Sequence, residues 1–399
     1  MKTTILDKFL DKASWEAFLD YKISANHITK KESDAIRQYI SDGCYIDMAH
    51  KIADNTFPGE NPKMITINKK GTAKKRIVYS FSEKVNISLK FIAHHLNEYD
   101  SYFCDNCYAF RSSLSVRHAF RRITALNHQN SLSGKYCLKV DISNYFNSID
   151  VNILLDKLQF IDDEILRSIF TGILTNDMVI KNNIAVHDKH GAMAGLPIAP
   201  FFANVYLTAV DKYFDDCGIT YFRYSDDIIL FADTYEDLLD YQNKLYSAFD
   251  IHHLKVNPQK EHIYAPGDTW EFLGFSFREG VIDLSSVTKQ KIKAKIKRKA
   301  HALMRWQRNK NLPVERAAKG FINAMNKKFF GYNDEDDFTW SRWFFPILTT
   351  DNGLAEIDSY MQQYIRHIIT GRHYKGNYRI PYSQIKDWGY ISLVNIYHK

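Results

Sequence analysis

The sequence predicts an α+β fold. Three observations carry that expectation. From residue 134 to about 280, short β-prone runs alternate with longer helical ones; the stretches on either side read mainly as helix; and no internal repeat or low-complexity linker interrupts them.

The elements follow in order. Residues 1–62 read as helices, and ITKKESDAIRQYISDG is charged, periodic and stopped at Gly43. In ITINKKGTAKKRIVYSF (65–81) two β-prone runs flank a basic, glycine-containing turn, the pattern of a hairpin. Helical periodicity returns over 84–128, around Ile87, Leu89, Ile92 and His95, then around Val116, Phe120 and Ile123. YCLKVDI, TYFRYS and DIILFA read as strands, separated by helical runs over 151–175, 199–215 and 235–250. The rest is helical, first basic and then aromatic. His94, His95, His252 and His253 are expected on helix surfaces, and His187 and His190 in a loop.

Composition narrows the function. The 399 residues are 45% hydrophobic and 25% charged, an ordinary folded globule rather than a disordered chain. No apolar run approaches the ~18 residues that span a bilayer, so no membrane partner is expected. The start, MKTTILDKFLDKASWEAF, lacks the pattern of a secretory leader. Cys44, Cys104, Cys107, Cys137 and Cys217 form an odd set without framework spacing, which points to the reducing cytoplasm. The Cys104–Cys107 pair has zinc-like spacing but no second pair, so two ordinary cysteines are expected. Fifty-three Lys and Arg against 46 Asp and Glu leave a charge of +7, and aromatics reach 14%. Cations neutralise phosphates and rings stack on bases, so nucleic acid is a natural partner. A Phe- and Tyr-rich core under a mildly positive surface is the alternative.

The sharpest signal is acidic. In RYSDDIILFA an apolar run enters, Asp226 and Asp227 follow, and a second apolar run leaves. Adjacent carboxylates at a hairpin tip between buried strands are costly unless a cation neutralises them. A solvated turn is the alternative. KYCLKVDISNYFNSID brings Asp141 to the end of another apolar run, again where strand meets loop. Three Asp from two adjacent strands suit two Mg²⁺ ions ~3.5–4 Å apart, of the kind that activate a hydroxyl and steady a leaving pyrophosphate.

These segments resemble a family. YSDD (224–227) is similar to the YxDD box of reverse transcriptases, VDISNYFNSID to their motif A, and GAMAGLPIAPFFANVYL (191–207) to their motif B. LKVNPQKEHI (254–263) resembles motif D, and WEFLGFSF (270–277) the primer-grip segment. INKKGTAKKRIVYSF resembles the basic fingers hairpin, and YAFRSSLSVRHAF the segment joining fingers to palm. The motifs stand in the family's order over about 67–277. The resemblance implies a right-hand polymerase with an antiparallel palm sheet and a helical thumb. Its expected divisions are an N-terminal helical segment (1–62), fingers and palm (63–280), and thumb with C-terminal region (281–399).

Roles implied by the resemblance follow. Asp141 and Asp226 would bind both ions, with Asp227 nearby and the carbonyl of Ile142 completing one coordination sphere. The ions would be Mg²⁺, or Mn²⁺ in their place. Lys69 and Arg76 would hold the triphosphate, where an Arg fork fits phosphate oxygens. Phe146 would close against the sugar C2′ of the incoming dNTP and exclude a 2′-hydroxyl. Lys260 would assist the departing pyrophosphate, with a surface Lys as its alternative. Gly274 and Phe275 would hold the primer end.

Motif B departs from the family pattern, with Met193-Ala194 for the usual Pro-Gln and Ala199 for the common Ser. Template handling would differ accordingly. Its GLPIAPFFANVYL form and the ending RIPYSQIKDWGYISLVNIYHK resemble the bacterial abortive-infection and unknown-group enzymes, the defence-associated reverse transcriptases. No maturase, endonuclease or HNH-like segment is evident. Residues 289–316 carry eleven Lys and Arg against Glu315 alone, over an apolar stripe of Ile292, Ile296, Ala300 and Leu303. Lys291, Lys295, Lys299, Arg305 and Arg308 are therefore expected on a phosphate backbone, beside an aromatic tail with Tyr374, Tyr378 and Trp388.

The leading expectation is RNA-templated DNA synthesis in antiphage defence, from a dedicated structured non-coding RNA, with dNTPs as substrates and DNA as product. A homo-oligomer is left open. The competitors are template-independent or protein-primed synthesis by an abortive-infection-type enzyme, a retron reverse transcriptase, and an RNA-binding module with an inactive palm. Intact Asp141, Asp226, Asp227, Phe146 and Lys260 argue against the last.

Overall fold

Short polar side chains set where the N-terminal helices begin. Thr4 accepts from the Asp7 amide while the Asp7 carboxylate reaches back to the Thr4 amide, a reciprocal cap on α1 (Ile5–Leu10). Asp11 caps α2 (Lys12–Ser24) and Thr29 caps α3 (Lys30–Ser41). Gly43, at φ 67°, then turns the chain into α4 (Cys44–Ala53). The computed structural model describes residues 3–25, 28–68, 75–128, 132, 134–331, 339–373 and 375–399. The chain divides into two compact units, Met1–Pro266 and Gly267–Lys399.

Among the described residues of the first unit, two sheets carry the architecture. β1 (Lys63–Asn68) and β2 (Lys75–Ser80) form the expected hairpin, with Lys63 opposite Ser80 and Asn68 opposite Lys75. β1 also pairs in parallel with β4 (Met178–Lys181), which turns back through Asn182 and Asn183 into β5 (Ile184–His187), giving the order β2-β1-β4-β5. The second sheet is antiparallel throughout, in the order β6-β7-β3-β8: β3 (Tyr136–Asp141), β6 (Thr220–Tyr224), β7 (Asp227–Ala232) and β8 (His262–Tyr264).

Around the sheets lie α5 (Glu83–His95), α6 (Val116–His128), α7 (Tyr145–Ser148), α8 (Val151–Lys157), α9 (Glu164–Thr175), α10 (Ala199–Asp216) and α11 (Tyr235–Ile251). α10 is buried along most of its length, from Phe201 and Phe202 to Phe214. Burying each such side chain is worth about 1.5–3 kcal/mol, and β7 adds a continuous apolar run from Ile228 to Ala232. The core that results fixes the register of the strands that bear the acids.

Three histidines lie deeper than expected on a helix surface, and one deeper than expected in a loop. His94 and His95 are not on an outer face: they stand three and four residues after Phe91 and so share its side of α5. Phe91 stacks on Trp15 at 3.9 Å, and His94 meets Phe18 and Tyr21. His252 is buried under Tyr206, whose hydroxyl donates to its carbonyl at 2.7 Å. His190 is buried too, its ring between the carbonyls of Asn176 and Gly191, whereas His187 ends β5 in the open.

The second unit has its own three-stranded antiparallel sheet among the described residues: β9 (Trp270–Phe272), β10 (Phe275–Arg278) and β11 (Val281–Leu284). Its helices are α12 (Ser286–Asn309), α13 (Val314–Phe330), α14 (Trp340–Phe344), α15 (Asn352–Thr370), α16 (Tyr382–Asp387) and α17 (Leu393–Tyr397). Buried Asp358 of α15 takes hydrogen bonds from Tyr390, Ser392 and the amides of Leu393 and Val394, and so seats α17. The expected α+β architecture with an antiparallel central sheet is what the chain forms.

Candidate active site

The site grows from one cross-strand pair. β3 and β7 pair so that Asp141 lies opposite Asp227. Tyr224 pairs with Asp227 around a two-residue loop, Ser225-Asp226, with Ser225 at φ 61°. The Ile142 amide donates to the Asp226 carbonyl at 3.0 Å, tying the loop to the end of β3. The Asn257 amide donates to the Asp141 carbonyl at 2.8 Å, and its side chain reaches Asp141 Oδ1 at 3.3 Å. The Lys260 ammonium forms an ion pair with the Asp141 carboxylate. Asp141, the adjacent Asp226 and Asp227, and Lys260, which come from three separate stretches of sequence, thus meet at one end of the sheet.

The electrostatics show the strain of that convergence. Burial, then the charge on Asp141, raises the Asp226 carboxyl above its usual range, against the pull of Lys260 and Arg76. Burial pushes Asp227 up to about 6, with Lys139 opposing and Asp141 and Asp226 adding to the rise. Asp227 Oδ1 is buried without a hydrogen-bond partner. Mutually repelling carboxylates, one of them with an oxygen left without a partner, are the donor set a hard dication accepts. Among the described residues no three Asp, Glu, His or Cys side chains close around one point as a finished cage. Mg²⁺ rarely needs one, since it takes one or two carboxylates and completes its shell from substrate phosphates and water. The residues present fit such an ion.

Beneath the loop lies a buried ion pair. Arg223 of β6 has no exposed surface, and its Nε and Nη2 reach the two Asp211 carboxylate oxygens of α10 at 2.7 and 2.5 Å. Tyr221 donates to the same carboxylate at 3.0 Å, and Arg223 Nη1 reaches the Ser225 carbonyl at 3.3 Å. Burial works against the guanidinium charge, but Asp211 more than offsets it and holds the Arg223 pKa above its ordinary value.

The other expected residues divide. Arg76, exposed on β2, is near enough for its charge to act on Asp226. Lys69 lies outside the described residues, as does Tyr374. Phe146 sits partly buried on α7, and Ile142 is buried in the strand end. The motif B loop packs its backbone on that of Phe146: a Cβ on Gly191 would fall 2.5 Å from the Phe146 carbonyl oxygen, and Ala192 donates to that oxygen at 2.8 Å. Met193 is 1% exposed, and Ala194 bonds to β2 by its carbonyl and to Asn147 by its amide.

In the second unit, the Gly274 carbonyl accepts from the Ser285 amide at 2.9 Å and the Thr288 hydroxyl at 2.8 Å. Phe275 is fully buried against Phe344, which leaves only backbone at that position for an outside strand. Lys291, Lys295, Lys299, Arg305 and Arg308 are exposed along α12, whose Ile292, Ile296, Ala300 and Met304 pack inward. Lys289 and Lys293 are instead tied to Glu356 at 3.0 and 2.6 Å. Tyr378 is exposed with Arg366 over its ring at 5.3 Å, and Trp388 is partly buried.

Sequence reasoning misses Lys139, the Arg223–Asp211 pair and Arg298. Lys139 and Asp141 share a strand face by the period of two, so that signal is present in KVD. Arg298 lies seven residues after Lys291 and seven before Arg305, on the same outward stripe. Nothing local pairs Arg223 with Asp211.

The family model described as "Reverse transcriptase (RNA-dependent DNA polymerase)" matches residues 67–277. Among solved structures, telomerase from Candida albicans in complex with a telomeric RNA fragment is similar at 13% identity and a TM-score of 0.44, covering 90% of this chain and 68% of that one. Apo telomerase from Candida tropicalis is similar at 13% identity and a TM-score of 0.39, covering 56% of this chain and 55% of that one. No curated protein matches the chain. The matched segment, just over half of the 399 residues, carries the strands and loop that bring the aspartates together, and the chain belongs to the reverse transcriptase (RNA-dependent DNA polymerase) family.

Proposed function

We propose that this enzyme copies a dedicated structured non-coding RNA into DNA in bacterial antiphage defence, using a two-ion site built on Asp141, Asp226 and Asp227. The observation that carries the site is the Asp141–Asp227 cross-strand pair with Asp226 at the loop between β6 and β7. Two Mg²⁺ ions held by these carboxylates and the Ile142 carbonyl would supply Lewis acidity at the attacking hydroxyl and the leaving pyrophosphate. The chain's own residues do the rest. Arg76, with Lys69, binds triphosphate oxygens as their charge rises. Lys260 holds Asp141 until substrate enters and then offers its proton to the pyrophosphate. Phe146 excludes a 2′-hydroxyl by its bulk. Gly274 receives the primer backbone, and the cations of α12 neutralise phosphates.

The defence assignment rests on the motif B form and the C-terminal segment. A second reading, synthesis without a template, draws support from the motif B loop: Met193 is buried and both backbone groups of Ala194 are spent within the protein. One experiment separates these. Purified protein with Mg²⁺, dNTPs and its co-purifying RNA should make DNA complementary to one dominant RNA. The Asp226→Ala, Asp227→Ala double variant should make none while remaining folded. Incorporation that survives RNase treatment would favour the second reading, and normal incorporation by the double variant would sink both.

A further inference from the structure

Phe110, in the loop before α6, has no part in the readings above. Its backbone sits at φ 57°, a conformation that costs a residue with a bulky side chain. Yet the residue is 48% exposed, so core packing does not explain why that backbone is tolerated.

The loop is held on both sides of it. Upstream, the Arg223 amide donates to the Asn106 carbonyl and the Tyr108 amide to the Arg223 carbonyl, both at 2.9 Å. Asn204 of α10 donates to the Ala109 carbonyl at 2.7 Å. Downstream, Arg111 grips the Asp100 carboxylate at 2.9 and 3.2 Å and the Cys104 carbonyl at 2.8 Å. Between these anchors the Phe110 ring stands 6.2 Å from Phe146, edge to face, and 6.3 Å from Tyr224, the residue that opens the acidic loop. Tyr145, itself buried, supplies a second ring contact to Phe146 at 5.8 Å.

We propose that Phe110 is a positioning residue for sugar choice, bracing the Phe146 ring so that it cannot swing away from an incoming ribonucleotide. The role rests on Phe146 as the sugar gate. A gate on a short helix selects only as well as its ring is held, and an edge-to-face aromatic contact is an anisotropic hold that an aliphatic side chain does not replace. The anchors on residues 106–111 make the brace rigid.

The test is the ratio of kcat/KM for rNTP against dNTP in Phe110→Ala, Phe110→Gly, Phe110→Tyr, Phe146→Ala and the Phe110→Ala, Phe146→Ala double variant. Phe110→Ala should raise rNTP use by up to about tenfold, the scale of one aromatic pair. Phe110→Tyr should retain the wild-type ratio. Phe110→Gly should match Phe110→Ala in selectivity while melting higher, because glycine accepts the positive φ, and that split separates the ring's role from the backbone's. The double variant should be no less selective than Phe146→Ala alone, since the brace acts through the gate. If Phe146→Ala relaxes selection and Phe110→Ala does not, the brace is refuted and the gate stands. If Phe146→Ala itself changes nothing, the gate reading fails. Multiplicative loss in the double variant would overturn action through Phe146.

Discussion

Replacing Arg223 with methionine separates what holds the acidic loop from what holds the fold. The guanidinium is wholly buried and makes two short bonds to Asp211 and a longer one to the Ser225 carbonyl. Arg223→Met leaves the Asp211 carboxylate in the core with the Tyr221 hydroxyl as its remaining neutral donor. Stranding a buried charge in this way costs about 3–5 kcal/mol. Set against the ~5–15 kcal/mol that a folded domain has in hand, this should shift a urea midpoint markedly. The Arg223→Met, Asp211→Leu double variant removes both charges and should recover part of that stability, because an apolar pair of similar volume replaces a salt bridge at little net cost while the buried Tyr221 hydroxyl, left without its acceptor, still costs ~1–3 kcal/mol. Activity should not recover with it. Ser225 still lacks its donor, and the loop that aims Asp226 is held by one bond fewer; losing a long hydrogen bond from a charged guanidinium, worth ~1.5 kcal/mol, gives about a tenfold fall in kcat for dNTP incorporation. Stability near wild type in the single variant, or full kcat in the stable double variant, would refute the reasoning.

Three further outcomes follow. With its folded pKa raised to about 6, Asp227 binds its proton more tightly in the native state than in the unfolded chain. Asp227→Asn should therefore stabilise the metal-free protein by up to about 3 kcal/mol above pH 6, the gain fading as pH falls towards 4; denaturation in EDTA at pH 7.5 and 4.5 reads it. His94 has the opposite sign, because burial lowers its pKa to about 4, so stability is full above pH 6.5 and falls as pH drops towards 4. With screening of a half-buried ring the loss is ~1–2 kcal/mol, and His94→Phe should flatten the pH profile of thermal melting. Charge reversal at Lys295, Lys299 and Arg305 should weaken RNA binding and reduce the log–log salt slope by about 2–3 in a titration, at ~0.7–0.9 for each phosphate that is no longer neutralised.

The aspartates are legible because an apolar run that ends in acid is informative wherever it stands. VDISNYF and YSDDIILF each show that pattern, and pairing then follows from sheet geometry. Lys260 and Arg76 are legible only through motif order, since a lysine after a helix and an arginine in a hairpin carry no address of their own. The β4–β5 hairpin escapes the sequence reading although its signal is present: Asn182 and Asn183 both take positive φ, 51° and 65°, as a tight hairpin turn needs and asparagine tolerates. The buried histidines mislead because a polar side chain three or four residues from a core aromatic looks like surface until the neighbouring helix is in place. Arg223 and Asp211 show the limit most clearly, for each alone reads as a surface charge, and only the packing of α10 beneath β6 makes them a pair.

The order of the central sheet also bears on how the protein is made. β3 is its second strand from one edge, yet of these four strands it leaves the ribosome first. Its partner β7 lies beyond the whole of α7 to α10, and β8 is later still. At ~5–20 residues per second, translation leaves the apolar CLKV run of β3 without either neighbour for on the order of ten seconds. An unpaired apolar strand is a template for the wrong chain. Nascent chains stalled between β3 and β7 should therefore be the species that chaperones hold and that aggregates when they are scarce, whereas chains stalled after β8 should be protease-resistant across the first unit. The pairing that juxtaposes Asp141 and Asp227 thus makes the acidic site one of the last features of this unit to exist during synthesis.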